Sequence, residues 1–143
     1  MTALTTRPLS NSQGPRRGTS DDPLLRFAMR ADATLCAATG LLIAMAADPL
    51  SRFSGLSAVS EWVSGAALVL YGTTLYALAA APGIRRIGVG IVIANVVFAI
   101  VATAVLLAGV LPLTRAGVAM MLATIAATLG LTYAQYLGVR RLA

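Results

Sequence analysis

Polar and charged residues crowd the first thirty positions of the chain and then nearly vanish from four long stretches. Apolar residues dominate about residues 24–47, 62–81, 87–110 and 116–138, separated by short segments rich in Pro, Gly, Ser and Arg. A helix needs about 17–25 such residues to cross a hydrocarbon core about 30 Å thick. The pattern therefore predicts an all-α, polytopic membrane protein: a four-helix transmembrane bundle with helices over those four ranges. The first two turns of the first helix are amphipathic, with Leu24, Leu25 and Phe27 set against Arg26 and Arg30, whose long side chains can reach the headgroups. Asp48-Pro49, Pro82-Gly83 and Pro112 read as helix stops.

Residues 1–23 are rich in Thr, Ser, Pro, Gly, Asn and Arg, with no apolar periodicity. They bury too little to offset ordering, so the reading is a disordered cytoplasmic tail ahead of one domain at 24–141. Arg16-Arg17 is followed by the polar, acidic Gly18-Thr19-Ser20-Asp21-Asp22, which argues against a twin-arginine export signal. Ala44-Met45-Ala46 has the small-residue form of a signal-peptidase site. Cleavage there would split a pair of related hairpins, so four helices remain the expectation.

Composition agrees. Of 143 residues, 58% are hydrophobic and 11% charged, against roughly a quarter charged in a soluble domain. The net charge of +6 comes from Arg alone, without Lys. Because these residues flank apolar spans, they read as topology signals and headgroup anchors rather than a nucleic-acid surface. Arg7, Arg16, Arg17, Arg26, Arg30, Arg85, Arg86, Arg140 and Arg141 fall on one predicted side, and only Arg52 and Arg115 on the other. The positive-inside rule then places both termini in the cytoplasm, with the chain in the plasma membrane.

The two halves read as copies of one helical hairpin. Asp32 and Asn95 lie 63 residues apart, as do Pro49-Leu50-Ser51-Arg52 and Pro112-Leu113-Thr114-Arg115. Each half closes on a similar turn, Gly83-Ile84-Arg85-Arg86 and Gly138-Val139-Arg140-Arg141, offset by 55. The difference falls between Arg52 and the second helix, where the first half carries the extra Phe53–Ser60. A repeat of this kind is parallel, since each unit contains two helices, unlike the inverted repeats common in transporters.

Little here can do chemistry. The chain has no His, and its one Cys, Cys36, lies in an apolar span. Imidazole ligation, His-based proton transfer and an intramolecular disulfide are excluded; no cofactor and no metal are expected. Asp32 is the one acid well inside an apolar helical stretch, and an intramembrane carboxylate is a functional candidate by default. It precedes Pro49 by 17 residues, about 25 Å of helix, which puts it nearer the cytoplasmic side and favours an anchoring role. Asn95 falls at the corresponding depth and suits a hydrogen bond across a helix interface. Thr124, Thr128, Thr132 and Gln135 form one polar stripe on the fourth helix, though Thr hydroxyls can bond their own helix. On the first helix, Asp32, Cys36, Thr39, Gly40 and Ile43 share a face. Asp32, Asn95, Thr132 and Gln135 are expected to converge near the cytoplasmic end of the bundle. Phe53, Leu56, Val59 and Trp62 recur at helical spacing and predict a short amphipathic helix at the outer interface, an anchor or docking ledge. Tyr133 and Tyr136 read as a cytoplasmic aromatic belt.

Arg30-Ala31-Asp32-Ala33 opening the first helix, Asp48-Pro49-Leu50 closing it, Asn95 in the third and the final Gly138-Val139-Arg140-Arg141 resemble a group of small four-helix membrane proteins of actinobacteria, of mycobacterial type. The resemblance covers about residues 24–141, with Phe98 where the group leads one to expect Trp shortly after the Asn. It implies architecture and carries no assigned activity. The functional expectation is a non-enzymatic accessory or interaction subunit. It would act with other membrane or cell-envelope proteins, or as a homo-oligomer, in the lipid bilayer. The alternative is a minimal oligomeric transporter in which Asp32 titrates.

Overall fold

A computed structural model describes residues 23–142. The expected cytoplasmic tail lies outside the described residues apart from Pro23. Proline suits that first-turn position, where its missing N–H would have no helical partner anyway. Five helices follow in chain order: α1 (Pro23–Met45), α2 (Ala47–Ser54), α3 (Ala58–Leu78), α4 (Ile84–Ala108) and α5 (Arg115–Arg141), with no strand among the described residues. Helices α1, α4 and α5 are each long and apolar enough to cross a membrane. Helix α3 reaches that standard only together with α2, and the two axes bend by 112° where they join. Length is not what α3 lacks, since its 21 residues span about 32 Å. Glu61, Ser64, Thr73 and Thr74 dilute it instead.

The α1–α3 connection differs from the sequence expectation. Asp48-Pro49 does not end the first helix: the chain breaks earlier, at Ala46, and Pro49 sits in the first turn of α2. A proline there forfeits no helical hydrogen bond, so it starts a helix as readily as it stops one. Gly55, with φ of 88°, then caps α2 by donating its N–H to the Ser51 carbonyl. Ser57 starts α3 by accepting from the Ser60 N–H, four residues before the expected start at Trp62. The amphipathic helix expected over Phe53–Trp62 is therefore not one helix. Phe53 ends up on α2, Leu56 in the connector, and Val59 and Trp62 on the first turns of α3. Phe53, Val59 and Trp62 are exposed while Leu56 is half-buried.

Helix α1 packs most extensively on α3, and their backbones come close because glycine lines the seam. A Cβ at Gly72 would lie 2.6 Å from the Ala33 carbonyl oxygen, and one at Gly65 would lie 2.6 Å from the Gly40 carbonyl oxygen. Helix α5 packs on both α4 and α1, whereas α3 and α4 hardly touch. The four long helices thus run α3–α1–α5–α4, with a thin seam between first and last.

Arginine gathers one end of the molecule. Arg26 donates to the Ala79 carbonyl at 2.6 Å and the Ala81 carbonyl at 3.4 Å, covering acceptors at the end of α3. Leu25 lies against Gly88 of α4 and Gly138 of α5. The starts of α1 and α4 and the ends of α3 and α5 therefore meet around a core of Leu25, Met29, Ala33, Leu75, Ala79 and Ile84. The Arg140 guanidinium lies 5.7 Å from the centre of the Tyr136 ring there, within cation–π range. Arg52 and Arg115 lie at the opposite end. Helices α1 and α4 end at Met45 and Ala108, 63 residues apart, the same spacing as Asp32 and Asn95. The halves differ at Pro49-Leu50-Ser51-Arg52, which lies within α2, whereas its counterpart Pro112-Leu113-Thr114 precedes α5.

Candidate functional site

Above the arginine-end core, one side chain from each of α1, α4 and α5 turns inward. Asp32 of α1 is 4% exposed, Asn95 of α4 is 6% exposed and Gln135 of α5 is fully buried. Gln135 Nε2 donates to Asp32 Oδ2 at 2.7 Å. Asn95 Nδ2 donates to Gln135 Oε1 at 3.2 Å and to Asp32 Oδ2 at 3.4 Å. The three side chains close a triangle of hydrogen bonds, with both Asn95 amide hydrogens engaged. The Tyr71 hydroxyl of α3 donates to Asn95 Oδ1 at 2.8 Å, bringing in the fourth helix across the thin seam. One turn along α1, Cys36 Sγ lies 3.3 Å from Asp32 Oδ1.

Two amides and a thiol thus surround Asp32. Among the described residues, no arginine forms an ion pair with it. A buried carboxyl group left without hydrogen-bond partners would be costly. The cluster therefore fixes the mutual register of four helices.

Of the four residues expected to converge, three do. Thr132 is buried beside them but returns its hydroxyl to the Thr128 carbonyl at 2.7 Å. Thr124 does the same to Met120 at 3.0 Å. Such bonds satisfy a hydroxyl within its own helix, so the threonine stripe supplies no donor to the cluster. Sequence reasoning missed Tyr71. The available signal was a phenol in mid-helix beside Gly72, whose hydroxyl needs a partner in an apolar setting.

A second polar cluster, also missed, joins the halves at the opposite end. Glu61 is 6% and Ser54 4% exposed, and the Ser54 hydroxyl donates to Glu61 Oε1. The Thr114 hydroxyl, the N-cap of α5, donates to the Phe53 carbonyl, and the Thr114 N–H donates to the Ser54 carbonyl at 2.9 Å. Glu61 sits in the first turn of α3, where the helix dipole favours negative charge. Its signal in the sequence was an acid four residues after the capping Ser57.

Among the described residues, no group of His, Cys, Asp and Glu side chains has the arrangement to hold a metal ion. An apolar groove of about 400 Å³ runs between α4 and α5, lined by Val96, Ile100, Leu107, Ile125 and Leu129 among others. It is separate from the carboxylate cluster. Comparison with protein families, with curated proteins and with solved structures finds no match to this chain.

Proposed function

We propose that this is a four-span membrane protein that acts without catalysis, as an accessory or interaction subunit contacting other membrane or envelope proteins or copies of itself. In this reading α1, α3, α4 and α5 cross the plasma membrane and the arginine-rich end faces the cytoplasm. The observation that carries it is the closure of the Asp32–Asn95–Gln135 triangle. The polar side chains at the centre of the bundle are spent on one another and on Tyr71, which suits a scaffold held in fixed register. Such a scaffold leaves its apolar outer faces for lipid and for partner helices.

The test is crosslinking in native membranes, mild-detergent extraction and identification of what accompanies the chain. A stoichiometric membrane or envelope partner, or a discrete homo-oligomer, is the expected result. A monomer at every crosslinker concentration removes the reading.

One observation favours the transporter reading: Asp32 is balanced by neutral donors alone among the described residues. Flux in proteoliposomes that is lost in Asp32→Asn supports transport, and no flux with the wild-type chain removes it.

A further inference from the structure

The 112° bend between α2 and α3 opens a groove of about 310 Å³ on the end opposite the arginine cluster. Ala44 and Met45 of α1, Asp48 of α2, and Val59 and Trp62 of α3 line it. Asp48 is its one charged residue. No α2 N-cap bond uses that carboxylate, and it accepts no hydrogen bond and joins no ion pair among the described residues. Trp62, the single tryptophan of the chain, is 57% exposed there, between Met45 at 78% and Val59 at 72%. A carboxylate and an indole lining one groove of mixed polar and apolar surface are the chemistry that recognises an ammonium group.

We infer that this groove binds the headgroup of a zwitterionic phospholipid bearing a primary ammonium, of the phosphatidylethanolamine type. The site rests on the membrane-spanning reading above, which sets the start of α3 at the headgroup level where Trp is favoured. A primary ammonium donates hydrogen bonds to Asp48, and its methylene arm lies against Trp62 and Val59. Arg52 stands one turn further along α2, exposed and unpaired with Asp48. Residues four apart on a helix sit about 5–6 Å from each other at Cβ, similar to the charge separation across an ethanolamine bridge. The phosphate then meets Arg52 while the ammonium meets Asp48. Charge complementarity selects this occupant over an anionic lipid, whose phosphate would find Arg52 but whose neutral glycerol would leave Asp48 unpaired.

The single tryptophan makes the test direct. The full chain is reconstituted in vesicles mixing phosphatidylethanolamine with phosphatidylglycerol, with bromine on the acyl chains of one or the other, and Trp62 quenching is compared. Exposed charge and cation–π contacts of this kind lead one to expect a preference of about three- to tenfold for the ethanolamine lipid. The preference is expected to fall to about one in Asp48→Asn, and to persist in Asp48→Glu and in Arg52→Gln, which weakens both lipids alike. Equal quenching by the two lipids in the wild-type chain, or a preference that survives Asp48→Asn, overturns the inference. Quenching by neither lipid overturns instead the membrane reading beneath it, so the two failures are distinguishable.

Discussion

Gln135 reaches across 103 residues of sequence to donate a 2.7 Å hydrogen bond to Asp32, tying α5 to α1. Two further donors reach the carboxylate, both at longer range, Asn95 at 3.4 Å and Cys36 at 3.3 Å. Gln135→Leu therefore removes the best of three donors from a buried carboxyl group and is expected to destabilise the fold by about 1–3 kcal/mol. Removing both partners, Asp32→Leu with Gln135→Leu, relieves the unsatisfied carboxylate and is expected to be milder than the sum of the single changes. Interhelical hydrogen bonds in membranes couple by about 0.6–1.7 kcal/mol, which sets the size to look for. Reversible unfolding in mixed mild and denaturing detergent measures it. Strict additivity of the two changes would show that the bond contributes nothing.

Glycine positions offer a control within one molecule. A Cβ at Gly72 meets the Ala33 carbonyl oxygen at 2.6 Å and the Ala37 nitrogen at 2.7 Å, both backbone atoms that cannot rotate aside. Gly72→Ala must push α1 and α3 apart, at an expected cost of about 1–3 kcal/mol. A Cβ at Gly90 or Gly130 meets nothing within 4 Å. Alanine at either is expected to be neutral or to stabilise by up to about 1 kcal/mol through helix propensity. Thermal melts in one mild detergent rank the three, and equal effects at all of them would contradict the close α1–α3 approach.

Particular residues show how far the sequence carries. Helix type follows from runs of apolar residues, since a bilayer forces backbone groups to pair within a segment. The number does not: five helices form where four were expected, and three of them are long and apolar enough to span on their own. Asp32, Asn95 and Gln135 can be grouped because each is a polar side chain at similar depth with few ways to be satisfied. Thr132 cannot be separated from them, because a hydroxyl with two equivalent options shows no preference in sequence. The position of the α2–α3 break escapes the sequence for a related reason. Pro49 stops a helix from its interior and starts one from its first turn, and only the fold decides which turn it occupies. The link between Thr114 and Ser54 spans two distant loops, and no local pattern announces such a contact.

That link gives a third prediction. Glu61 is buried against Ser54 while Ser54 and Phe53 also hold Thr114, so the three connect α2, α3 and α5. Glu61→Ala leaves a polar pocket without its acceptor and is expected to cost about 1–3 kcal/mol, whereas Glu61→Gln keeps an acceptor oxygen and stays within about 1 kcal/mol. Hydrogen exchange on the full chain provides a local reading. Protection at the N–H of Thr114 and of Leu56, which bonds Ser54 Oγ at 3.1 Å, is expected to fall in Glu61→Ala. Unchanged protection would mean that Glu61 does not hold these loops.

The bend at Gly55 makes the path of α3 the decisive question for topology. If α3 crosses the membrane, its first turn and the turn after its last lie on opposite sides; if the α2–α3 pair is re-entrant, they lie on the same side. Cys36 is the single cysteine and is half-buried beside Asp32, so Cys36→Ser keeps a donor there and clears the background. Into that chain go Ser60→Cys, on the exposed face at the start of α3, and, separately, Pro82→Cys, exposed in the turn before α4. Arginine placement predicts that a membrane-impermeant maleimide labels the Ser60→Cys chain in intact cells and the Pro82→Cys chain only after permeabilisation. Neither position carries a topology-setting arginine, so the substitutions do not bias the answer. Labelling of both chains from the same side would make α2–α3 a re-entrant element and reduce the spans to three, a number that would also place the two termini on opposite faces of the membrane.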